Sequence, residues 1–218
     1  MALRAVIFDF DGLILDTETP AYTSWQETYR GHGAALDREL WTANIGTHGW
    51  DAARHLEELL GRPIDHAELR AARLTRHYAL IDAEVVRPGV VGWLNEAKEL
   101  GLAVGLASSS GEQWVGPHLE RLGLREHFAV LATGDRVQRV KPDPALYRLA
   151  LDSLGVDPGD AIAVEDSANG IAAAKAAGLP AVAVPNAMTV ELDFSRADLV
   201  LDSLTDAGIA EVAARLGL

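Results

Sequence analysis

The chain has 218 residues, of which 49% are hydrophobic and 23% are charged, a balance typical of a soluble globular protein with a buried core. Its 32 acidic and 19 basic residues give a formal net charge of −13. This charge argues against nucleic acid or an anionic membrane as the main partner, because neither attracts an acidic protein. The absence of cysteine excludes disulfides, thiolate catalysis and cysteine-bound zinc.

No stretch of the sequence has the pattern of a targeting or membrane-spanning segment. The N-terminal MALRAVIF lacks the long apolar region of a secretory signal. The most apolar stretch is broken by Lys175, Gly178 and Pro180, and it falls short of the ~20 apolar residues that span a bilayer. We therefore expect a cytoplasmic protein without membrane attachment, acting as a monomer or weak dimer.

Short apolar runs recur along the chain and predict buried strands. They cover residues 5–8, 102–107, 128–132, 161–164, 181–184 and 199–201. Between the later runs lie segments of helical period, such as PALYRLALDSLGV. Strands that alternate with helices predict an α/β fold with a doubly wound, Rossmann-like parallel sheet.

Residues 17–87 depart from this alternation. Three segments there have a helical pattern, TPAYTSWQETYRGHG, WDAARHLEELLG and DHAELRAARLTRHYALI, and none of this region reads as a convincing strand. Glycine and proline interrupt the patterns. The simplest organisation is an α/β core formed by residues 1–16 and 88–218, with an all-helical insert of residues 17–87 after the first strand.

Polar side chains follow four of the predicted strands at the points where those strands end. They are Asp9 and Asp11, the serines 108–110, Lys141, and the pair Glu165 and Asp166. Ligands of open parallel sheets bind at the carboxyl ends of the strands, so we expect these groups to share one rim of the sheet.

The chemistry that uses this set of groups is metal-assisted phosphoryl transfer. Oxygen ligands from Asp9, Asp11 and Asp166 suit Mg²⁺, and the cation offsets the repulsion between neighbouring carboxylates. One carboxylate can attack phosphorus, while a second donates a proton to the leaving oxygen and later takes one from water. Lys141 and a serine hydroxyl would bind the phosphate oxygens.

The segments DFDGLILDTE, LASSS, VKPDP and VEDSANGIAAAKAAG resemble, in this order, the four motifs of the haloacid dehalogenase-like superfamily. The resemblance covers nearly all of the chain, and the helical insert occupies the position of that family's small cap. The chain looks like the branch that contains phosphoglycolate phosphatase and β-phosphoglucomutase. Four motifs in order, each at a strand end, are far more specific than an isolated D-x-D.

The resemblance implies a role for each acidic motif residue. Asp9 would be the nucleophile and Asp11 the general acid/base, with Asp11 also giving its backbone carbonyl to the metal. Asp166 would be a direct Mg²⁺ ligand, and Glu165 would support the metal directly or through water. The implied enzyme is a Mg²⁺-dependent phosphatase that hydrolyses a small phosphorylated metabolite through an aspartyl-phosphate intermediate.

Substrate contacts are expected from the core and from the insert. The resemblance implies that Ser108 and Lys141 hold the phosphate, with Ser109 beside them. Gly46 and His48 lie in IGTHGWD, between two helical segments and near the place of a substrate-specificity loop, so both are candidate substrate contacts.

At several positions a purely structural role competes with a functional one. Ser109 or Ser110 is suited to cap the helix that begins near Glu112. The seven histidines lack metal-ligand spacing, which favours surface or packing roles for them. The tryptophans of the insert are expected in its hydrophobic core or at its interface with the α/β core.

Two other functions remain open on the sequence. The β-phosphoglucomutase pattern carries a histidine and a cap-loop arginine, where this chain has Ala21 and the arginine-free GTHGWD, so a phosphomutase is the alternative. A phosphoacceptor signalling module would gather similar groups, but such domains are much shorter and lack a helical insert. A true dehalogenase is disfavoured, because that branch lacks the second aspartate, Asp11.

Overall fold

The structure is a computed structural model that describes residues 3–45 and 50–218. Each of the six predicted apolar runs contains a strand. The strands are β1 (Ala5–Phe8), β2 (Ala103–Ala107), β3 (Val130–Ala132), β4 (Ala161–Glu165), β5 (Ala181–Ala183) and β6 (Leu199–Val200). They form one sheet in the order β3-β2-β1-β4-β5-β6, and every neighbouring pair is parallel. The predicted doubly wound α/β fold is therefore confirmed.

Helices accompany the strands throughout the described part of the chain. They are α1 (Glu18–Gly31), α2 (Arg38–Asn44), α3 (Ala52–Leu60), α4 (His66–Ala83), α5 (Val90–Glu99), α6 (Glu112–Arg121), α7 (Ala145–Leu154), α8 (Ala168–Ala176) and α9 (Ile209–Leu216). Among the described residues, none of the helices is both long and apolar enough to cross a membrane.

Alternating side chains of β1 build the two layers of the core. Val6 and Phe8 face the cluster that α5, α6 and α9 cover, whereas Ala5 and Ile7 face the cluster under α7 and α8. All four are fully buried. A strand buried on both faces reads as a continuous apolar run, which is why the sequence identified it.

Helices α1 to α4 form the insert after β1. Three of them begin after an aspartate whose carboxylate accepts backbone N–H groups of the first turn, at Asp37, Asp51 and Asp65. The sequence indicated three helical patterns and missed α2. This helix has only seven residues, too few for a helical period to be read from the sequence, and none of them is fully buried.

The chain enters and leaves the insert along adjacent paths. Leu15 forms an isolated antiparallel bridge with Val86, and the Arg87 N–H donates to the Ile14 carbonyl at 2.9 Å. This crossing point supports our proposal that residues 17–87 form a cap.

Candidate active site

Three buried carboxylates meet at the carboxyl end of the central strands. Asp9 follows β1, Glu165 ends β4 and Asp166 follows it, and one oxygen of each lies within 4.8 Å of the others. Each is at most 6% exposed. The strands β1 and β4 are neighbours in the sheet, so the parallel register brings these side chains to the same rim. We refer to Asp9, Glu165 and Asp166 as the acidic triad.

Lys141 places an ammonium between two members of the triad. Its Nζ donates to Asp9 Oδ1 and to Glu165 Oε1, each at 2.6 Å, and the side chain is buried. Burial would lower the pKa of Lys141, but the facing carboxylates of Asp9 and Glu165 outweigh it and raise that pKa. The lysine is therefore held as a cation.

Glu165 is the most enclosed member of the triad. Besides Lys141, it accepts hydrogen bonds from Tyr147 Oη at 2.6 Å and from Ser167 Oγ at 3.1 Å. The Ser167 hydroxyl also accepts the Gly170 N–H and so caps α8. A Cβ added at Gly170 would lie 1.9 Å from Glu165 Cδ, so the first turn of α8 packs directly on this carboxylate.

The triad carries more negative charge than Lys141 offsets. Burial, followed by the charge of Glu165, raises the pKa of Asp9 to about 8. Burial and the charge of Asp9 likewise raise the pKa of Asp166 well above its ordinary value. Closely spaced, buried carboxylate oxygens that repel one another are the donor set of a hard divalent cation, and the residues present fit Mg²⁺.

The Asp11 carboxylate points to a different part of the rim. Its Oδ2 accepts hydrogen bonds from Ser110 Oγ at 2.7 Å and Ser108 Oγ at 3.2 Å, and its Oδ1 accepts one from Trp114 Nε1 at 2.8 Å. Two carboxylates that are neighbours in sequence thus have separate environments. One belongs to the acidic triad, and the other is held by three neutral donors.

Gly12 turns the chain away from the site at close range. Its φ is +75°, and a Cβ there would lie 2.1 Å from Asp166 Oδ2. The Gly12 carbonyl accepts a hydrogen bond from Asn186 Nδ2 at 3.2 Å, and the same Nδ2 donates to Asp166 Oδ2 at 2.7 Å. Arg87, the last residue of the insert, also donates to the Gly12 carbonyl, so the turn is bonded both to the end of the insert and to the core residue Asn186.

A cavity of about 210 Å³ opens beside these groups. Its lining residues are Asp9, Asp11, Glu18, Ile45, Ser109, Val140, Lys141, Asp166, Ser167 and Asn169. Glu18 and Ile45 come from the insert, so the cavity lies between the insert and the core. Burial, with the charges of Asp11 and Asp16, raises the pKa of Glu18 to about 7.

The sequence matches a known protein family over most of its length. A family model described as haloacid dehalogenase-like hydrolase matches residues 3–178, which span all four motifs and the insert. This chain belongs to that family. The predicted superfamily is thereby confirmed, and the chain is an enzyme of the hydrolase class.

Relatives of this hydrolase extend the match to nearly the full chain. YhcW of Bacillus subtilis (strain 168), assigned as a phosphatase, is 46% identical over 209 residues, or 95% of each chain. CbbY from Rhodobacter sphaeroides, solved with phosphate, is 33% identical with a TM-score of 0.73, covering 99% of this chain and 100% of that one. A CbbY variant solved with xylulose 1,5-bisphosphate is 32% identical, covers 95% and 98%, and has the same TM-score. A Thermotoga maritima structure assigned as a β-phosphoglucomutase is 27% identical with a TM-score of 0.77, covering 91% and 94%.

The hydrolase brings most of the predicted site residues to one rim. Asp9, Asp11, Ser109, Lys141 and Asp166 line the cavity. Ser108 is fully buried beneath it, with its hydroxyl turned to Asp11, and Glu165 is buried behind Lys141. The Asp11 carboxylate, which the sequence offered as a metal ligand, lies outside the triad, and the backbone carbonyl that the resemblance assigns to the metal stays a prediction.

Gly46 and His48, the candidate substrate contacts of the insert, lie outside the described residues. The prediction that Ser109 or Ser110 caps the next helix is wrong: α6 begins at Glu112, whose N–H donates to Asp135 Oδ1 at 3.0 Å. Ser110 instead donates its hydroxyl to Asp11, where a carboxylate acceptor gives the stronger hydrogen bond.

Several residues of the site were not singled out by the sequence. They include Glu18, Trp114, Tyr147, Ser167, Asn169 and Asn186. Asn186 comes shortly after β5, so the rule that located the other strand-end groups could have found it. Tyr147 and Trp114 lie within helices, where their spacing is the same as that of ordinary packing residues.

Proposed function

We propose that the chain is a Mg²⁺-dependent phosphatase that hydrolyses a small phosphorylated metabolite through an aspartyl-phosphate on Asp9. The observation that carries the proposal is the difference between the environments of Asp9 and Asp11. Both line one cavity, but Asp9 lies beside Lys141 and the other two carboxylates of the triad, while Asp11 accepts hydrogen bonds from hydroxyl and indole donors. A nucleophile and an acid/base need such different environments.

The metal would be held by the acidic triad. Asp9, Glu165 and Asp166 supply the oxygen ligands, and Asn186 orients Asp166 through a 2.7 Å hydrogen bond. The cation would offset the charge that accumulates on the phosphoryl oxygens and keep Asp9 ionised in spite of its burial. A backbone contribution from Asp11, implied by the family resemblance, belongs to the same proposal.

In the first step, an Asp9 carboxylate oxygen attacks phosphorus and the bond from phosphorus to the ester oxygen breaks. The protonated Asp11 gives its proton to the departing alkoxide, which leaves as an alcohol. In the second step, the Asp11 carboxylate takes a proton from a water that attacks phosphorus, and phosphate and Asp9 are released. Lys141 and Ser109, which line the cavity, contact the phosphoryl oxygens, and the buried Ser108 orients Asp11.

The cavity favours a compact, polar substrate. Its volume of about 210 Å³ is below the ~300 Å³ at which pockets for drug-sized ligands begin. Glu18 lines the cavity with a carboxyl group that can hydrogen-bond to hydroxyls, and CbbY, a relative of this chain, binds xylulose 1,5-bisphosphate in the crystal. We therefore propose a phosphorylated sugar or polyol as the substrate, acted on in the cytoplasm.

A phosphomutase remains the second candidate, because the Thermotoga maritima structure assigned as a β-phosphoglucomutase covers most of the chain. Ala21, at the start of α1, stands where the mutase pattern has a histidine, and this weakens the candidate. With β-glucose 1-phosphate and Mg²⁺, the phosphatase releases free phosphate. Interconversion to glucose 6-phosphate with phosphate at background would favour the mutase.

The decisive experiment is a phosphate-release screen over phosphorylated sugars and polyols with Mg²⁺, run beside Asp9→Asn. The amide cannot attack phosphorus, so we expect kcat to fall to below about one-thousandth of the wild-type value. The exposed Asp202→Asn serves as the matched control and should retain full activity. Turnover that survives Asp9→Asn would contradict the proposal.

A further inference from the structure

Trp114 connects Asp11 to the cap helices. It is the third residue of α6, and its Nε1–H donates to Asp11 Oδ1 at 2.8 Å. The function proposed above uses the acidic triad, Lys141 and Asp11, and it gives this indole no part beyond separating Asp11 from the triad. A tryptophan that donates to the acid/base from outside the cavity lining suggests control of the Asp11 geometry.

The cap side of the indole is covered by consecutive residues of α4. The His77 ring stacks on it with centroids 6.1 Å apart and planes 18° apart. The Tyr78 ring lies 6.0 Å away at 46°. Both contacts cross from the insert to the core, so they exist only while α4 is docked.

On its core side, the indole packs against another residue of α6. The ring of His118, one turn further along that helix, meets it edge-on with centroids 4.5 Å apart. His118 in turn stacks on Phe10, the residue between Asp9 and Asp11, with centroids 6.3 Å apart and planes 25° apart. The indole is thus fixed from both sides, and its N–H has a fixed direction.

We infer that Trp114 is a positioning residue for Asp11, held by His77 and Tyr78 of the cap and His118 of the core, and that it aligns the acid/base only when α4 is docked. This inference rests on the proposed function, since it needs Asp11 to transfer a proton. It makes the helix-to-core contact part of the proton-transfer geometry, in addition to any role in excluding water.

The two Asp11 oxygens have different partners. An indole N–H can only donate, so it keeps Oδ1 as an acceptor. Oδ2 is bonded instead by the hydroxyls of Ser108 and Ser110. The Trp114 N–H is therefore the donor that fixes the Oδ1 side of the carboxylate.

The test is Trp114→Phe, which keeps an aromatic ring between the histidines and removes the donor. It is assayed with phenyl phosphate, whose leaving group needs a proton, and with 4-nitrophenyl phosphate, whose leaving group departs without one. Because kcat/KM reports the first step, in which the leaving group departs, we expect kcat/KM for phenyl phosphate to fall about 10- to 100-fold and kcat/KM for 4-nitrophenyl phosphate to fall less than about threefold.

Two further variants separate positioning from folding. Trp41→Phe is the matched control, because the Trp41 N–H is buried without a hydrogen-bond partner within the described residues and its loss should change neither rate. His77→Ala keeps the Trp114 N–H and removes its cap stack, so we expect a smaller loss with the same dependence on the leaving group. Circular dichroism verifies that each variant is folded.

Equal losses for both leaving groups in Trp114→Phe, or no loss at all, would overturn the inference and leave the proposed phosphatase intact. Activity that survives Asp9→Asn would instead remove the proposed function on which the inference rests. The two failures are therefore distinguishable in one set of assays.

Discussion

Asp166 is the residue at which the charge imbalance of the site is least compensated. Lys141 donates to Asp9 and Glu165, whereas Asp166 accepts a hydrogen bond from the neutral amide of Asn186. Burial and the charge of Asp9 raise the pKa of Asp166, which shows that its ionised form is disfavoured in the folded protein. A cation at the triad would remove this penalty.

Asp166→Asn should therefore have opposite effects in the two metal states. Without Mg²⁺, the neutral amide relieves repulsion within the triad, and Tm rises by about 2–4 °C for each kcal/mol gained. With excess Mg²⁺, wild-type Tm rises because the ion binds the folded state, and the variant loses most of that increase. Thermal unfolding with and without Mg²⁺ measures both, with the exposed Asp202→Asn as control. A full Mg²⁺-induced increase in the variant would contradict the assignment of Asp166 as a ligand.

The acidic and basic residues of the site could be predicted because strand ends are visible in sequence. Asp9, Lys141 and Asp166 each follow an apolar run, and a parallel sheet gathers such positions at one rim. The division between Asp9 and Asp11 could not be predicted from spacing. It depends on Trp114 and Ser110, which reach Asp11 from a part of the chain about 100 residues away.

At the scale of elements, apolar runs of three to six residues were sufficient to locate the six strands of the described residues, because both faces of the sheet are covered. Helix α2 was missed because its seven residues are too few to show a helical period, although Trp41 packs against the hydrophobic cluster of the insert. The close approach of α8 to Glu165 could not be predicted from the sequence either. A glycine at position 170 has several possible causes in sequence, and only the fold identifies contact with a carboxylate as the cause.

Gly170→Ala tests that contact. The added methyl would lie within 2 Å of Glu165, so α8 or the carboxylate must move, at a cost of about 1–3 kcal/mol and with loss of the Lys141 and Tyr147 geometry. We expect a lower Tm and a kcat reduced at least about tenfold, since the triad is displaced.

Gly92→Ala is the matched control for this substitution. Gly92 also lies inside a helix, α5, but nothing lies within 4 Å of the added methyl. Alanine is favoured over glycine in a helix by about 1 kcal/mol, so this variant should be slightly more stable and fully active. Equal behaviour of the two variants, measured by thermal unfolding and phosphate release, would mean that α8 does not constrain Glu165.

At the scale of the whole molecule, one loop of the core is shared between the active site and the insert. The segment after β5 carries Asn186, which binds Asp166 and the Gly12 carbonyl. Two residues later, Met188 is buried within the hydrophobic cluster of the insert, beside side chains such as Tyr29 and Leu56. The loop therefore joins the position of the insert to the orientation of a proposed metal ligand.

Met188→Ala should loosen this connection without unfolding the sheet. Truncating a buried methionine costs about 2–5 kcal/mol, and here the loss falls on the contact between insert and core. We expect faster hydrogen exchange at the amides of Arg87 and Thr189, which are bonded across the crossing point and within the loop, while β1 and β4 keep their protection. KM should rise more than kcat falls, because a displaced insert weakens substrate binding before it changes the core groups.

Val190→Ala, in the same loop but 63% exposed, should leave exchange and kinetics unchanged. Uniform loss of protection across the insert and the sheet would instead show that Met188 serves global stability, and that docking of the insert is independent of this loop.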